Sequence, residues 1–174
     1  MSKLRITLII QLALFAVWGG YLLVMNNTAA PDEIYLETEP VDPRDLLSGA
    51  FVALNYVIGA PDAGGCRSLA GSGGNRRVYV RLEKSDRTAA AGGRALPIFE
   101  ATDCALQPVK NGGLWARGDL LAGNWRGPRI YYGIEKFFVN ENDPLKDARS
   151  GSVVAKVALD RMNNLRITGL VKKD

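Results

Sequence analysis

Histidine is absent from this 174-residue chain, which removes the commonest metal ligand and the side chain best suited to moving protons near neutral pH. Cysteine occurs only at positions 66 and 104, too few to enclose a zinc ion and without the Cys-x-x-Cys spacing that tunes a thiolate. No basic block accompanies the net charge of +4; Arg76-Arg77 and Lys172-Lys173 are isolated pairs, so a nucleic-acid footprint is missing. The glycines around Ser72 read Gly71-Ser72-Gly73-Gly74, which is neither a nucleophile elbow nor a phosphate loop. There is no internal repeat, and long apolar runs are lacking with one exception.

That exception is Ile6 to Met25, an uncharged run in which Gln11 is the only strongly polar side chain. At about 1.5 Å per residue, twenty helical residues span about 30 Å, the thickness of a bilayer's hydrocarbon core. The run reads as a transmembrane helix over 6–26, with Trp18 and Tyr21 on one face near its far end, where amphipathic rings settle among headgroups. Lys3 and Arg5 precede it, so the positive-inside rule puts residues 1–5 in the cytoplasm and exports the rest. A cleaved secretory signal is the competing reading, with Asn27-Thr28-Ala29-Ala30 as a weak exit sequence. Gly19-Gly20 and Gln11 would allow close helix approach or an interhelical hydrogen bond, which makes them a candidate interface.

All 18 acidic residues follow the apolar run, while two of the 22 basic residues precede it, leaving the exported part with a charge of only about +2. Such a balance describes a solvated surface. An oxidising compartment and an even cysteine count favour a structural Cys66–Cys104 bond, with free buried thiols and a redox pair as the alternatives.

Residues 27–48 are polar and acidic, with prolines at 31, 40 and 43, and read as a stiff extended linker ending in about one turn of helix after Asp42-Pro43. Residues 49–174 read as the exported domain. Phe51 to Ile58 is strand material, apolar on both faces. Gly59 to Asn75 holds six glycines and reads as a connection without apolar period. Arg76 to Glu83 alternates as a half-solvated strand, and Lys84 to Gly93 reads as another connection. Short strands are expected at Ala95–Glu100, Leu114–Gly118 and Arg129–Tyr132, with Trp115 and Trp125 in glycine-rich surroundings as core plugs or interface anchors. Ile134, Phe137 and Phe138 fall at i, i+3, i+4, which predicts a helix to about Glu141 and a second turn from Pro144 to Arg149. Val153 to Val171 closes the chain as a hairpin turning over Asp160 to Asn164. The expected fold is mainly β: a partly closed antiparallel barrel or two-layer sheet with a short helical segment. Leu54, Tyr56, Val80, Phe137, Phe138, Val157 and Ile167 are the expected core.

One catalytic option remains, a serine activated by a desolvated lysine, with Ser48 or Ser68 and Lys84 as candidates. No spacing singles out a pair, and a solvated lysine near pKa 10.4 is a poor base at neutral pH. Glu135 and Glu141, six apart on the expected helix, would face different directions.

Two blocks resemble a known family. Gly49-Ala50-Phe51-Val52-Ala53-Leu54-Asn55-Tyr56 resembles the signature of the GDYXXLXY family, bacterial membrane-anchored proteins of uncharacterised function. Gly49, Leu54 and Tyr56 match; Ala50 stands where the family has aspartate, and Phe51 where it has tyrosine. Tyr132 to Glu141 resembles the family's second block. The resemblance implies a single pass in the bacterial inner membrane, a periplasmic C-terminal domain and a multi-spanning membrane protein as partner. Losing the aspartate and the tyrosine hydroxyl favours a structural role for the motif over a reactive one. The expectation is a non-catalytic, membrane-tethered accessory subunit or assembly factor without a cofactor, metal or nucleic acid. An envelope enzyme such as a Ser/Lys peptidase and a periplasmic ligand-sensing domain are the alternatives.

Overall fold

The computed structural model describes residues 2–27, 33–40, 51–109, 113–124, 127–139, 145 and 148–174, in two compact units, residues 1–31 and 32–174. The first unit is one helix, α1 (Ser2–Asn27). Its Arg5–Leu22 window has a mean hydropathy of 1.5 and buries nothing, and large apolar side chains such as Ile9, Val17 and Trp18 are exposed on every side. A helix apolar all round suits lipid better than a soluble core. It is long and apolar enough to cross a membrane.

The second unit is β-rich, and its strands follow as β1 (Ile34–Glu39), β2 (Phe51–Ala53), β3 (Asn55–Tyr56), β4 (Arg76–Ala91), β5 (Arg94–Ala105), β6 (Leu114–Asn124), β7 (Gly127–Tyr131), β8 (Lys136–Phe138), β9 (Val153–Leu159) and β10 (Leu165–Lys172). One sheet runs β10-β9-β1-β5-β4-β6-β7 with β3 paired to β1, and β2 pairs with β8 separately. All pairings are antiparallel except β1 with β5. The sheet curls into a half-barrel, and the β9–β10 turn reaches across to β6, where the Arg117 N–H donates to the Asn163 carbonyl at 2.6 Å. Ile34, Leu36, Val78, Val80, Val153 and Val157 are fully enclosed by it.

Residues 34–39 are extended as the linker reading requires, yet they form an inner strand of the sheet. Ile34, Leu36 and Thr38 point inward; the outward Glu37 is held by Lys173 at 2.9 Å and Arg87 at 3.1 Å. Acids that read as solvated linker are thus ion-paired on a partly exposed face. The connection expected at 84–93 is also strand: β4 continues to Ala91 and turns through Gly92 and Gly93, both at positive φ, as a two-residue hairpin turn requires. Ala91 packs there with Ile98 and Val154 in a small second core.

The helical segment is present but elsewhere. Helix α2 (Gly64–Gly71) lies inside the glycine-rich stretch, while Ile134 to Phe138, expected as helix, is extended and includes β8. Phe137 is half-buried and Phe138 is 76% exposed, so period two prevails and Phe138 leaves the expected core. Pairing with β2 supplies the backbone partners that a helix would have supplied internally. Most of residues 140–147 lie outside the described residues; Leu145 and Ala148 pack against the core.

The closing hairpin forms as expected, with Asn163 at φ 65°. A register shift between Ile167 and Gly169 moves the inward side chain to Leu170, so Ile167 is only half-buried. Asp160 organises the turn, its carboxylate accepting from the Met162 N–H at 2.8 Å, the Asn164 N–H at 2.8 Å and the Asn164 side chain at 2.9 Å. Partial burial pushes its pKa up, but these bonds and Arg166 outweigh that and hold it below the ordinary value. A depressed carboxylate stabilises the fold above its unfolded pKa of about 4 and loses that contribution as pH falls through the folded value. Asp160→Ala should therefore cost about 1–2 kcal/mol at pH 7. The gap to wild type should narrow below about pH 4 in thermal denaturation.

Candidate functional site

The two motif blocks meet. Along the first, Val52, Leu54 and Tyr56 point inward and are almost fully buried, while Phe51, Ala53 and Asn55 face outward. Antiparallel pairing sets Phe51 against Phe138, Val52 against Phe137 and Ala53 against Lys136. The Leu54 N–H donates to the Glu135 carbonyl at 2.8 Å, extending the junction past β2. Gly133, at φ 77°, bends the second block back so that Glu135 accepts from the Tyr132 N–H at 2.6 Å.

Two tyrosines then bind crosswise. The Tyr56 hydroxyl donates to the Ile134 carbonyl at 2.8 Å, and the Tyr132 hydroxyl donates to the Ile58 carbonyl at 2.7 Å. Burial raises both pKa values, with the Glu135 charge adding to each and Arg129 opposing at Tyr132. Both phenols stay neutral donors at any physiological pH. They brace the backbone and have no proton to spare for chemistry.

Beside them runs a polar strap. Glu39 accepts from the Asn55 side chain at 2.9 Å and pairs with Arg129, which also donates to the Tyr56 carbonyl at 2.9 Å. The Ser150 hydroxyl donates to the Glu39 carbonyl at 2.6 Å and accepts from the Asn55 N–H at 2.9 Å. Each charged group is thereby engaged. What the junction presents to solvent is aromatic: Phe51 and Phe138 have ring centroids 6.1 Å apart, and Lys136 Nζ lies 4.8 Å over the Phe51 ring.

The remaining predicted residues are dispersed. Cys66 and Cys104 form a disulfide that pins α2 to β5. Trp115 is buried on β6, whereas Trp125, Gly49, Ala50 and Ser48 lie outside the described residues. Gln11 and Gly20 are exposed on α1 and Gly19 is half-exposed, with open space around both glycines. Ser68 spends its hydroxyl on the Gly65 carbonyl at 2.9 Å, and Lys84 is exposed to water. Among the described residues, no group of three or more Asp, Glu or Cys side chains is placed to hold a metal ion. What Tyr132, Glu135, Arg129 and Ser150 bind is not legible in the sequence, because their partners lie 73 to 111 positions away in the chain, apart from the local Tyr132–Glu135 bond.

No curated protein matches the chain, and neither does any solved structure. The family model described as GDYXXLXY protein matches residues 17–170, both motif blocks included, and the chain belongs to the GDYXXLXY family.

Proposed function

We propose that this membrane-associated GDYXXLXY protein is a non-catalytic accessory subunit or assembly factor, whose domain docks on another membrane protein. The observation that carries the reading is the use made of the motif. Leu54, Tyr56 and Tyr132 are consumed in packing and backbone bonds, and the same junction turns Phe51, Phe138 and Lys136 outward. An exposed aromatic flanked by a cation suits an interface better than a reaction. Lys3 and Arg5 support an N-terminus in the cytoplasm and a periplasmic domain. Tethering raises the domain's effective concentration toward a partner in the same membrane, so a modest interface suffices.

Gentle detergent extraction followed by mass spectrometry should recover a stoichiometric membrane-protein companion, depleted by Phe138→Ser. A strictly monomeric protein would sink the subunit reading, and hydrolytic activity abolished by Lys84→Ala would replace it with an enzyme. Reporter fusions at Asp174 should be active only on the periplasmic side.

A further inference from the structure

β9 overruns β1 at the end where the chain enters the domain. Ile34, the first residue of β1, pairs with Val157, so Leu159 and the turn over Asp160 to Asn164 project past that entry point. Only residues 28–33 separate α1 from Ile34, and an extended chain advances at most about 3.5 Å per residue, so the entry point stays within about 25 Å of the end of α1. The turn carries Met162, 64% exposed. Its backbone is fixed on both sides: Asp160 accepts from the Met162 and Asn164 N–H groups, and the Asn163 carbonyl is tied to Arg117.

The β5–β6 connection lies alongside. Val109 and Asn163 line one cavity between them, and Leu106 and Val109 are each 57% exposed. A single exposed apolar side chain needs no explanation, but large ones gathered on two adjoining segments do. The free charges around the turn are basic. Arg161 is exposed and Arg117 half-exposed, and neither has an acidic partner among the described residues. The acids near them are engaged: Asp160 within the turn, Glu33 with Lys156 at 2.5 Å and Asp119 with Arg77 at 3.7 Å. Apolar side chains projecting between arginines fit a phospholipid surface, where the carbon atoms enter the acyl boundary and the guanidinium groups meet phosphates.

We propose that the β9–β10 turn, with Leu106 and Val109 beside it, rests on the surface of the bilayer that α1 crosses, with Met162 entering the acyl boundary and Arg161 and Arg117 facing lipid phosphates. The inference rests on α1 as a membrane span and not on docking through Phe138. A domain attached at two points is held in one orientation, which lowers the entropy cost of meeting a partner in the same membrane.

Both native cysteines are held in the disulfide, so a nitroxide can be placed on Met162→Cys, on Ala122→Cys near the far end of β6, or on Leu14→Cys in α1. Each labelled full chain is reconstituted in nanodiscs of phosphatidylcholine and phosphatidylglycerol. Collision of the label with oxygen, which concentrates in lipid, is compared with collision with a nickel chelate, which stays in water. The expected result is oxygen exceeding nickel at Leu14 and Met162 and the reverse at Ala122, with the Met162 ratio falling when Arg161→Glu is added. A Met162 label that meets nickel as readily as the Ala122 label overturns the proposal, while oxygen contact at Leu14 keeps the span. A Met162 label shielded from both reagents overturns it too, because protein then covers the turn. So does a ratio indifferent to Arg161→Glu. Should a variant fail to fold, wild-type protein in nanodiscs doped with a diazirine phospholipid should give adducts at Arg161 to Asn163; adducts confined to α1 overturn the proposal. A lipid-facing Met162 in a chain that recovers no companion keeps this contact and discards the subunit, and a companion recovered with a wetted Met162 does the reverse.

Discussion

Replacing Tyr56 with phenylalanine should lower stability by about 1–3 kcal/mol, because the ring still fills its place while the buried Ile134 carbonyl loses its donor. Tyr132→Phe should cost a similar amount through the Ile58 carbonyl. The two bonds join the same pair of segments in opposite directions, so the double variant should not show the simple sum of the single losses. Urea denaturation of the four proteins gives the coupling. Additive losses would mean that the two braces act independently.

The same pair predicts a steep alkaline limit. Both hydroxyls have folded-state pKa values raised chiefly by burial. A raised acid keeps its contribution fully below the unfolded value, about 10 for tyrosine, and loses it as pH climbs from there toward the folded value. Each tyrosine should remove about 1.4 kcal/mol of stability per pH unit in that window, roughly 3 kcal/mol per unit for the pair. The Tyr56→Phe/Tyr132→Phe protein should lose much less between pH 10 and 11. If both proteins weaken in parallel, these phenols are not the buried neutral donors.

The parts of this fold that could be read in the sequence are those whose partner is close by or whose pattern is strict. Val153 to Leu159 alternates, Asn163 takes the left-handed backbone, and the hairpin follows; the slip at Thr168 that brings Leu170 inward leaves no trace in composition. β1 was hidden because Glu37 and Glu39 look like solvent-facing acids until Arg87, Lys173 and Arg129 arrive from elsewhere in the chain. Ile134, Phe137 and Phe138 satisfy helical spacing, and only pairing with Phe51 to Ala53 decides for strand. The motif showed where to look. That its tyrosines brace two distant carbonyls is a property of the folded chain alone.

Reducing the Cys66–Cys104 bond should be the most damaging single change, about 3–4 kcal/mol for a crosslink closing a loop of this length. The loss should begin at α2. Eight residues are too few to hold a helix in water, its N-cap is Ala63 without a side-chain cap, and three of those residues are glycines. Besides the packing of Leu69 and Ala70 on the core, the disulfide and the Gly65 N–H, which donates to Asp103 Oδ1 at 2.7 Å, hold it in place. That contact requires glycine, since a Cβ at position 65 would lie 2.5 Å from the Cys104 carbonyl oxygen. The rest of the domain does not depend on α2 for backbone bonds, because β4 pairs with both β5 and β6. Hydrogen exchange on reduced protein should therefore show Cys66 to Gly71 exchanging quickly while Val78 to Leu82 stays protected. Intact-mass analysis without reductant should find the protein lighter by the two thiol hydrogens. A reduced protein as stable as the oxidised one, with α2 still protected, would show that packing alone holds the helix.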